Sequence, residues 1–404
     1  MMNQSTDTIP FARPSLGREE EEAVLRVLRS GWLTTGREAL AFEEEFARYT
    51  GAAHALAVNS ATAGLHLTLE ALGVQEGDKV LTSSYTFTAT AEVIRYCGGD
   101  PVFVDLAPES MNMDPVDCER KIRSLLDKGE SVKGILPVHI AGNPEGLEEL
   151  FDLSRRYGLF LVEDAAHCFP VPSGRGMIGT WSDAGVFSFY ANKTITTGEG
   201  GMIVFGNPNL KDRISAMRLH GINKAVWDRY TSTKAPWEYD VIAPGFKYNL
   251  SDMAAAIGRV QLKKAVELLQ KRKDLVRAYL SRLKEADFLD LPAWKEEHAW
   301  HLFIIRLREE TLSIDRNQFM HILRDRGIGT SVHYKPLHMM SYYRDRYNLK
   351  EEDLPLASEL YRRVISLPLF PDMTMDQVER VCQVVLETGK SFQAAPVSLG
   401  KGHQ

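Results

Sequence analysis

From His54 to Glu163 the chain repeats one pattern: a short run of apolar residues, then a longer run with apolar residues at helical spacing. The strand-like runs are His54–Val58, Lys79–Thr82, Val102–Asp105, Gly134–Val138 and Leu159–Glu163. The helix-like runs are Ser60–Leu72, Phe87–Cys97, Pro115–Leu126 and Glu145–Tyr157. Strands apolar on both faces must be covered on both faces, so the alternation predicts a parallel sheet wrapped by helices. The expected fold class is α/β: a large, doubly wound, mostly parallel sheet domain and a smaller α+β C-terminal domain. In such sheets ligands bind beyond the carboxyl ends of the strands, so the residues just after each strand are where chemistry is to be sought.

The rest of the chain fits around that unit. Leu16–Ser30 reads as a charged amphipathic helix ended by Gly31. The loop Gly31–Gly36, GWLTTG, then leads to a second helix over Arg37–Tyr49. Ser251–Leu283 predicts one long helix linking the two domains. Beyond it come a strand at His301–Arg306, a helix at Arg316–Arg326 and a short strand near Gly329–Val332, with helices near Glu351–Val364 and Met375–Glu387. The expected division is an N-terminal segment, 1–36, packing with the small domain; a large domain, 37–265; a small domain, 266–389; and a disordered tail, 390–404.

Composition excludes several classes. The formal net charge is -6 and the longest basic cluster is Lys271-Arg272-Lys273, which is no footprint for nucleic acid. No run approaches the roughly 18 apolar residues of a membrane helix, and the first residues hold no apolar segment of signal-peptide length. A cytoplasmic protein is expected. Cys97, Cys118, Cys168 and Cys382 are scattered without a C-x-x-C pair, and read as reduced thiols with no metal site.

Ala184–Met202, AGVFSFYANKTITTGEGGM, breaks from a strand-like run into a polar loop and returns at once to an apolar run. The loop carries Lys193. An ammonium held between buried strands costs several kcal/mol unless it is neutralised, paired or used covalently, which marks Lys193 as a candidate covalent catalyst. Three other places follow strands. Asn59–Gly64 opens a helix with small residues, either as a cap at Ser60 or as an anion cradle of backbone N–H groups. Phe87 is either core or a ring for stacking. Asp164, ending LFLVED, is either a cap or a carboxylate reaching the crevice. Together they are the parts of a pyridoxal phosphate site: anion cradle, stacking ring, carboxylate for the ring nitrogen and amine for the aldehyde.

The motifs NSATAGLH (59–66), SYTFTATAEVI (84–94), GGDPVFVD (98–105), VEDAAH (162–167), FSFYANKTITTGEGG (187–201), GFKYNLSDMAAAIG (245–258) and SVHYKPLH (331–338) occur in that order. With them the chain resembles the DegT/DnrJ/EryC1/StrS family of pyridoxal phosphate-dependent nucleotide-sugar aminotransferases, of fold type I, over nearly its whole length. The resemblance implies that Lys193 holds the cofactor covalently, Asp164 pairs with the pyridine nitrogen, Phe87 stacks on the ring and His167 lies near its hydroxyl. It implies that Ser188 and groups around Ser60, Ala61 and Thr62 hold the phosphate, joined by Asn249 from a neighbouring subunit of a homodimer with shared active sites. Trp32, Thr35, Tyr190, His333 and Tyr334 are the candidates for the substrate cleft. His333 and His338 can equally be satisfied structural histidines.

The reaction implied is amino transfer from L-glutamate to a nucleotide-linked keto sugar, with Lys193 moving the proton and pyridoxamine 5'-phosphate carrying the amino group between two ping-pong half-reactions. The SVHYKPLH resemblance points to a 4-keto-6-deoxy sugar on UDP. Three other readings compete. A sugar dehydratase of the same family carries histidine in place of the lysine. A nicotinamide oxidoreductase is suggested by Gly174–Gly179, a formal G-x-G-x-x-G, but Pro170 and Pro172 precede it in place of a strand, and a strand follows in place of a helix. A non-catalytic regulator on the same fold has no need of Lys193.

Overall fold

The computed structural model describes residues 8–108, 110–223 and 239–394. Its centre is a seven-stranded sheet of β1 (His54–Val58), β2 (Lys79–Ser83), β3 (Asp100–Val104), β4 (Val132–Leu136), β5 (Phe160–Asp164), β8 (Ala184–Ser188) and β9 (Gly201–Phe205). The strand order is β1-β9-β8-β5-β4-β2-β3. Only β9 runs against the rest, pairing antiparallel with β1 and β8, because the short Tyr190–Gly200 loop that carries Lys193 allows only a reversal. Between β5 and β8 a two-stranded hairpin, β6 (Pro172–Ser173) and β7 (Gly176–Met177), holds the formal G-x-G-x-x-G. Its glycines serve a turn and close packing: a Cβ on Gly179 would lie 2.3 Å from the Phe187 ring.

Helices at Ala61–Ala71, Ala89–Tyr96, Pro115–Asp127 and Leu147–Tyr157 separate the parallel strands, within two or three residues of the expected runs. Two glycines let the first of them sit close to the sheet. A Cβ on Gly64 would lie 2.8 Å from Val186 Cγ1, and one on Gly201 2.8 Å from Ala61 N. On one sheet face Phe42, Phe46, Phe169, Phe187 and Phe189 form an aromatic core, with Phe46 5.1 Å from Phe169 and 5.2 Å from Phe187 between ring centroids.

Helix Arg37–Thr50 begins at Gly36, which has no side chain to cap it. The Asp252 carboxylate caps it from outside, accepting from Gly36 N at 2.7 Å and Ala39 N at 3.0 Å. Asp252 itself opens the 32-residue helix Asp252–Leu283, which runs between the two cores. The second core surrounds an antiparallel sheet of β10 (Leu289–Asp290), β11 (Phe303–Leu307) and β12 (Val364–Leu367). Here the structure corrects the expected elements. The strand expected near Gly329–Val332 makes only single bridges, Ser331 to Ser366 and Ile328 to Ile9; the third strand is β12, and the helix before it ends at Arg363. Helices at Pro208–Met217 and Ser341–Tyr347 were not anticipated.

Ile9 lies in the second core, whereas the helix Arg18–Ser30 packs its Ala23 and Val27 against Ala256 of the long helix. At the other end the helix starting at Met375 runs to Ser391 and Gln393 bridges to Leu312, so the first residues of the tail expected to be disordered from Lys390 are ordered. Residues 395–404 lie outside the described residues. Among the described residues no helix is long and apolar enough to cross a membrane, and no cluster of side chains suits a metal ion.

Candidate active site

A cavity of about 460 Å³ opens at the carboxyl ends of the parallel strands. Asp164 is the last residue of β5 and Ser188 the last of β8, while Ser60–Thr62 follow β1 and Thr86–Thr90 follow β2. Each of these segments reaches the cavity wall because its strand delivers it to the same sheet edge. From the second unit His301, just before β11, and His333 with Tyr334 close the opposite side. The two units are tied there: Leu337 N donates to Ser84 O at 2.7 Å, and Tyr85 OH donates to His333 O at 2.5 Å.

Lys193 projects from a loop fixed as tightly as a strand. Phe189 N bonds to Gly200 O and Thr197 N to Phe189 O, both at 2.9 Å, and Ile195 is sunk in the aromatic core. Lys193 N bonds to Tyr190 O at 3.0 Å, which sets the turn. Desolvation of the amine lowers its pKa to about 7, against the opposing pull of the Asp164 carboxylate and with help from Arg272. Near neutral pH a large share of the amine is therefore unprotonated, as a nucleophile or base must be.

Asp164 accepts Thr90 Oγ1 at 2.9 Å and Ala166 N at 3.1 Å. Burial raises its pKa, and these two donors and Lys193 pull the other way. It is a carboxylate short of a cation, which a protonated ring nitrogen would supply. His167 Nδ1 and Asn192 Oδ1 are buried without hydrogen-bond partners, although both residues line the cavity. Where such atoms line a cavity, a bound ligand or water can complete their bonding. His167 Nε2 lies 3.1 Å from Tyr334 OH, and burial holds His167 far below the usual histidine range.

The helix Ala61–Ala71 aims its N-terminus into the same space. Ser60 does cap it, accepting Ala63 N at 3.1 Å. That cap leaves the first-turn N–H groups of Ala61 and Thr62 without intrahelical carbonyls and available to an anion, so both readings of Ser60 hold together. Phe87, 59% exposed, and Tyr190, 48% exposed, stand at the wall with room above them. These features fit pyridoxal phosphate: first-turn amides with Ser188 for the phosphate, Asp164 for the ring nitrogen, Phe87 for the ring face and Lys193 for the aldehyde.

The structure separates three expected residues from the cavity. Trp32 Nε1 bonds to Thr35 O at 3.3 Å, and Thr35 Oγ1 receives Asn249 Nδ2 at 2.6 Å. Thr35 and Asn249 line a second cavity of about 540 Å³, although the Asn249 backbone pairs with Val58, immediately before the Asn59–Ser60 turn. His333 Nδ1 meets Ser366 Oγ at 2.8 Å, and burial lowers its pKa to about 4.

His338 is structural. Its Nδ1 lies 3.2 Å from Ser84 Oγ and its Nε2 2.9 Å from Ser358 Oγ, buried at the junction of the two units. His338→Ala is expected to lower unfolding free energy by about 1–3 kcal/mol by removing the imidazole that joins Ser84 Oγ to Ser358 Oγ, with turnover per folded molecule retained. Denaturant unfolding and an active-site-titrated assay check both parts.

Sequence reasoning missed Thr90, Asn192, His301 and Arg272. Thr90 was legible in principle, since Thr86 and Thr90 are four residues apart and their hydroxyls meet at 2.8 Å. His301 left no local signal, because it reaches the site only through packing of the second unit, and Arg272 stands behind it, bonded to its carbonyl.

Comparison with known proteins agrees with this geometry. A model of the DegT/DnrJ/EryC1/StrS aminotransferase family matches residues 14–386. The chain is 38% identical over 393 residues to the spore coat polysaccharide biosynthesis protein SpsC of Bacillus subtilis, covering 96% of this chain and 99% of that one. Among solved structures, PseC of Helicobacter pylori, an aminotransferase involved in the biosynthesis of pseudoaminic acid, is similar with a TM-score of 0.87 at 30% identity, over 95% of this chain and 100% of that one. A sugar aminotransferase of Streptococcus pneumoniae, Spr1654, solved in forms named for pyridoxamine and pyridoxal phosphate, gives TM-scores of 0.86 and 0.85 at 30% identity, over 95% of this chain and 99% of each. The chain belongs to the DegT/DnrJ/EryC1/StrS aminotransferase family, and pyridoxal phosphate is its cofactor.

Proposed function

We propose that this protein moves the amino group of L-glutamate to a nucleotide-linked keto sugar of the 4-keto-6-deoxy class, making an amino sugar for glycan or secondary-metabolite synthesis. The observation that carries the reading is the convergence of Lys193, Asp164 and the Ala61–Thr62 amides in one cavity at the sheet edge. Bound there, pyridoxal phosphate supplies an aldehyde that exchanges for an amino group and a ring that accepts electrons.

Around it the chain's own groups have distinct tasks. The Lys193 amine takes the donor's α-proton and returns it elsewhere on the same face, which its lowered pKa permits at neutral pH. Asp164, held by Thr90 and Ala166, keeps a negative charge fixed at the cavity floor. The helix N-terminus and Ser188 bind the phosphate, and Phe87 shields the ring. The neutral histidines His167 and His333 leave that charge balance undisturbed. Within this reading the large unit, 37–265, presents the cofactor residues, and the small unit, 266–389, closes the sugar side with His333 and Tyr334; Tyr190 stands at the rim.

The same reading makes the active unit a homodimer with shared active sites, in which Trp32, Thr35 and Asn249 of one subunit complete the site of the other. It is supported by their grouping outside the cavity of their own chain. A cytoplasmic setting fits four cysteines that are all unpaired thiols. The relatives point the same way: SpsC is named for polysaccharide biosynthesis and PseC for pseudoaminic acid.

The test is a two-stage titration of the cofactor's absorbance. L-glutamate is expected to convert the pyridoxal form to the pyridoxamine form, and a panel of nucleotide-linked keto sugars to reverse it, with UDP-linked 4-keto-6-deoxy sugars the most effective. Conversion by no amino donor, or reversal by simple 2-oxo acids alone, overturns the assignment.

A further inference from the structure

Arg272, on the long helix Asp252–Leu283, is 1% exposed. Its neighbours Lys271 and Lys273 each pair with a carboxylate, Glu267 and Glu296. Among the described residues Arg272 forms no ion pair. Its Nη1 donates instead to three backbone carbonyls, Leu369 O at 3.0 Å, His301 O at 3.2 Å and Trp300 O at 3.4 Å, and its Nε has no partner. A buried cation without a counterion loses several kcal/mol of hydration that neutral carbonyls repay only in part. A packing role alone is met by an apolar side chain, so the retained charge calls for another explanation.

Its location provides one. Two of the carbonyls it holds, those of Trp300 and His301, belong to the segment that brings His301 to the cavity. His301 is pinned on its other side by its own N–H to Ala141 O at 2.9 Å. Its ring stands 4.4 Å from that of His167, with Nδ1 unpartnered, and it lines a small void shared with Lys193, Thr194 and Ile195. Arg272 therefore fixes the backbone of His301, which shares that void with Lys193, and sets a positive charge behind it.

We propose that Arg272 is a positioning residue for Lys193: its uncompensated charge, seated on the Trp300, His301 and Leu369 carbonyls, favours the neutral form of the reacting amine. The other groups facing Lys193 do not provide this. Asp164 acts in the opposite sense. His167, His301 and His333 are kept neutral chiefly by burial, to which Arg272 adds at His301, and Tyr334 stays protonated. Tyr190 and Glu199 stand at the rim of the cavity. Coulomb repulsion by Arg272 lowers the proton affinity of Lys193 beyond what desolvation achieves.

The test is the pH midpoint of the Lys193 amine, read in two ways on the full-length protein. One is competitive acetylation after cofactor removal, following the Lys193 peptide by mass spectrometry. The other is the pH-dependent absorbance of the loaded enzyme, which follows protonation of the same nitrogen once it is bonded to the cofactor. Wild type is expected to give an acetylation midpoint near 7. Arg272→Gln and Arg272→Met are expected to move both midpoints up by about one unit. Unmoved midpoints in a folded Gln or Met variant, or a wild-type acetylation midpoint at the ordinary lysine value, overturns the proposal. If the Met variant does not fold, the Gln variant decides. The inference rests on Lys193 being the reacting amine. A cofactor attached elsewhere fails that reading, whereas unshifted midpoints in a protein carrying it on Lys193 fail this one.

Discussion

Lys193→Ala is expected to reduce amino transfer by about four orders of magnitude while leaving the protein folded. The backbone bond from residue 193 to Tyr190 O survives the change, as do the ties of Phe189, Thr197 and Gly200 that shape the loop. Burying the amine is a cost to the native state, so its removal leaves thermal stability equal or higher. Turnover measured under saturating donor and acceptor, beside a thermal melt, separates the two effects. Retained multiple turnover in a folded variant shows that another group moves the proton.

Asp164→Asn is expected to give the next largest loss, about 10³-fold in turnover. A fixed opposite charge at contact distance is worth on the order of 4 kcal/mol at an effective dielectric near 20, and the amide removes it. The shape and both hydrogen-bonding positions stay in place: Asn still accepts from Ala166 N, and the Thr90 hydroxyl can turn to accept from the amide. Because burial disfavours the carboxylate, the variant should melt no lower than wild type. A loss under 10-fold at saturating cofactor contradicts the role given to this charge.

The sheet was legible because its strands are apolar on both faces, a pattern that fits few folds. Strand β12 was not, since Val364–Leu367 directly follows the helix Pro355–Arg363 and its first residue extends the helical spacing. The helix at Pro208–Met217 carries only four buried residues among polar ones, too weak a stripe to read. In the site, Lys193, Asp164 and Ser60–Thr62 were legible because each follows a strand and the topology sends all strand ends to one edge.

What closes that edge was not legible. His301, Arg272 and the placement of His333 depend on how the second unit docks, a long-range fact that local spacing does not encode. Arg272 was hidden most effectively. In the sequence it sits inside a basic triplet that reads as solvated surface, yet the helical period turns its guanidinium inward and leaves Lys271 outside. His338 illustrates the opposite outcome: one of two histidines in SVHYKPLH fills a seam between the units, and only the other reaches the cavity.

The most direct measurement is borohydride reduction of the native, cofactor-loaded protein followed by proteolysis and mass mapping. Reduction should leave one stable pyridoxyl adduct per chain, on the peptide containing Lys193. An adduct on any other lysine peptide, or no adduct in protein that retains the cofactor's absorbance, contradicts the account at its centre.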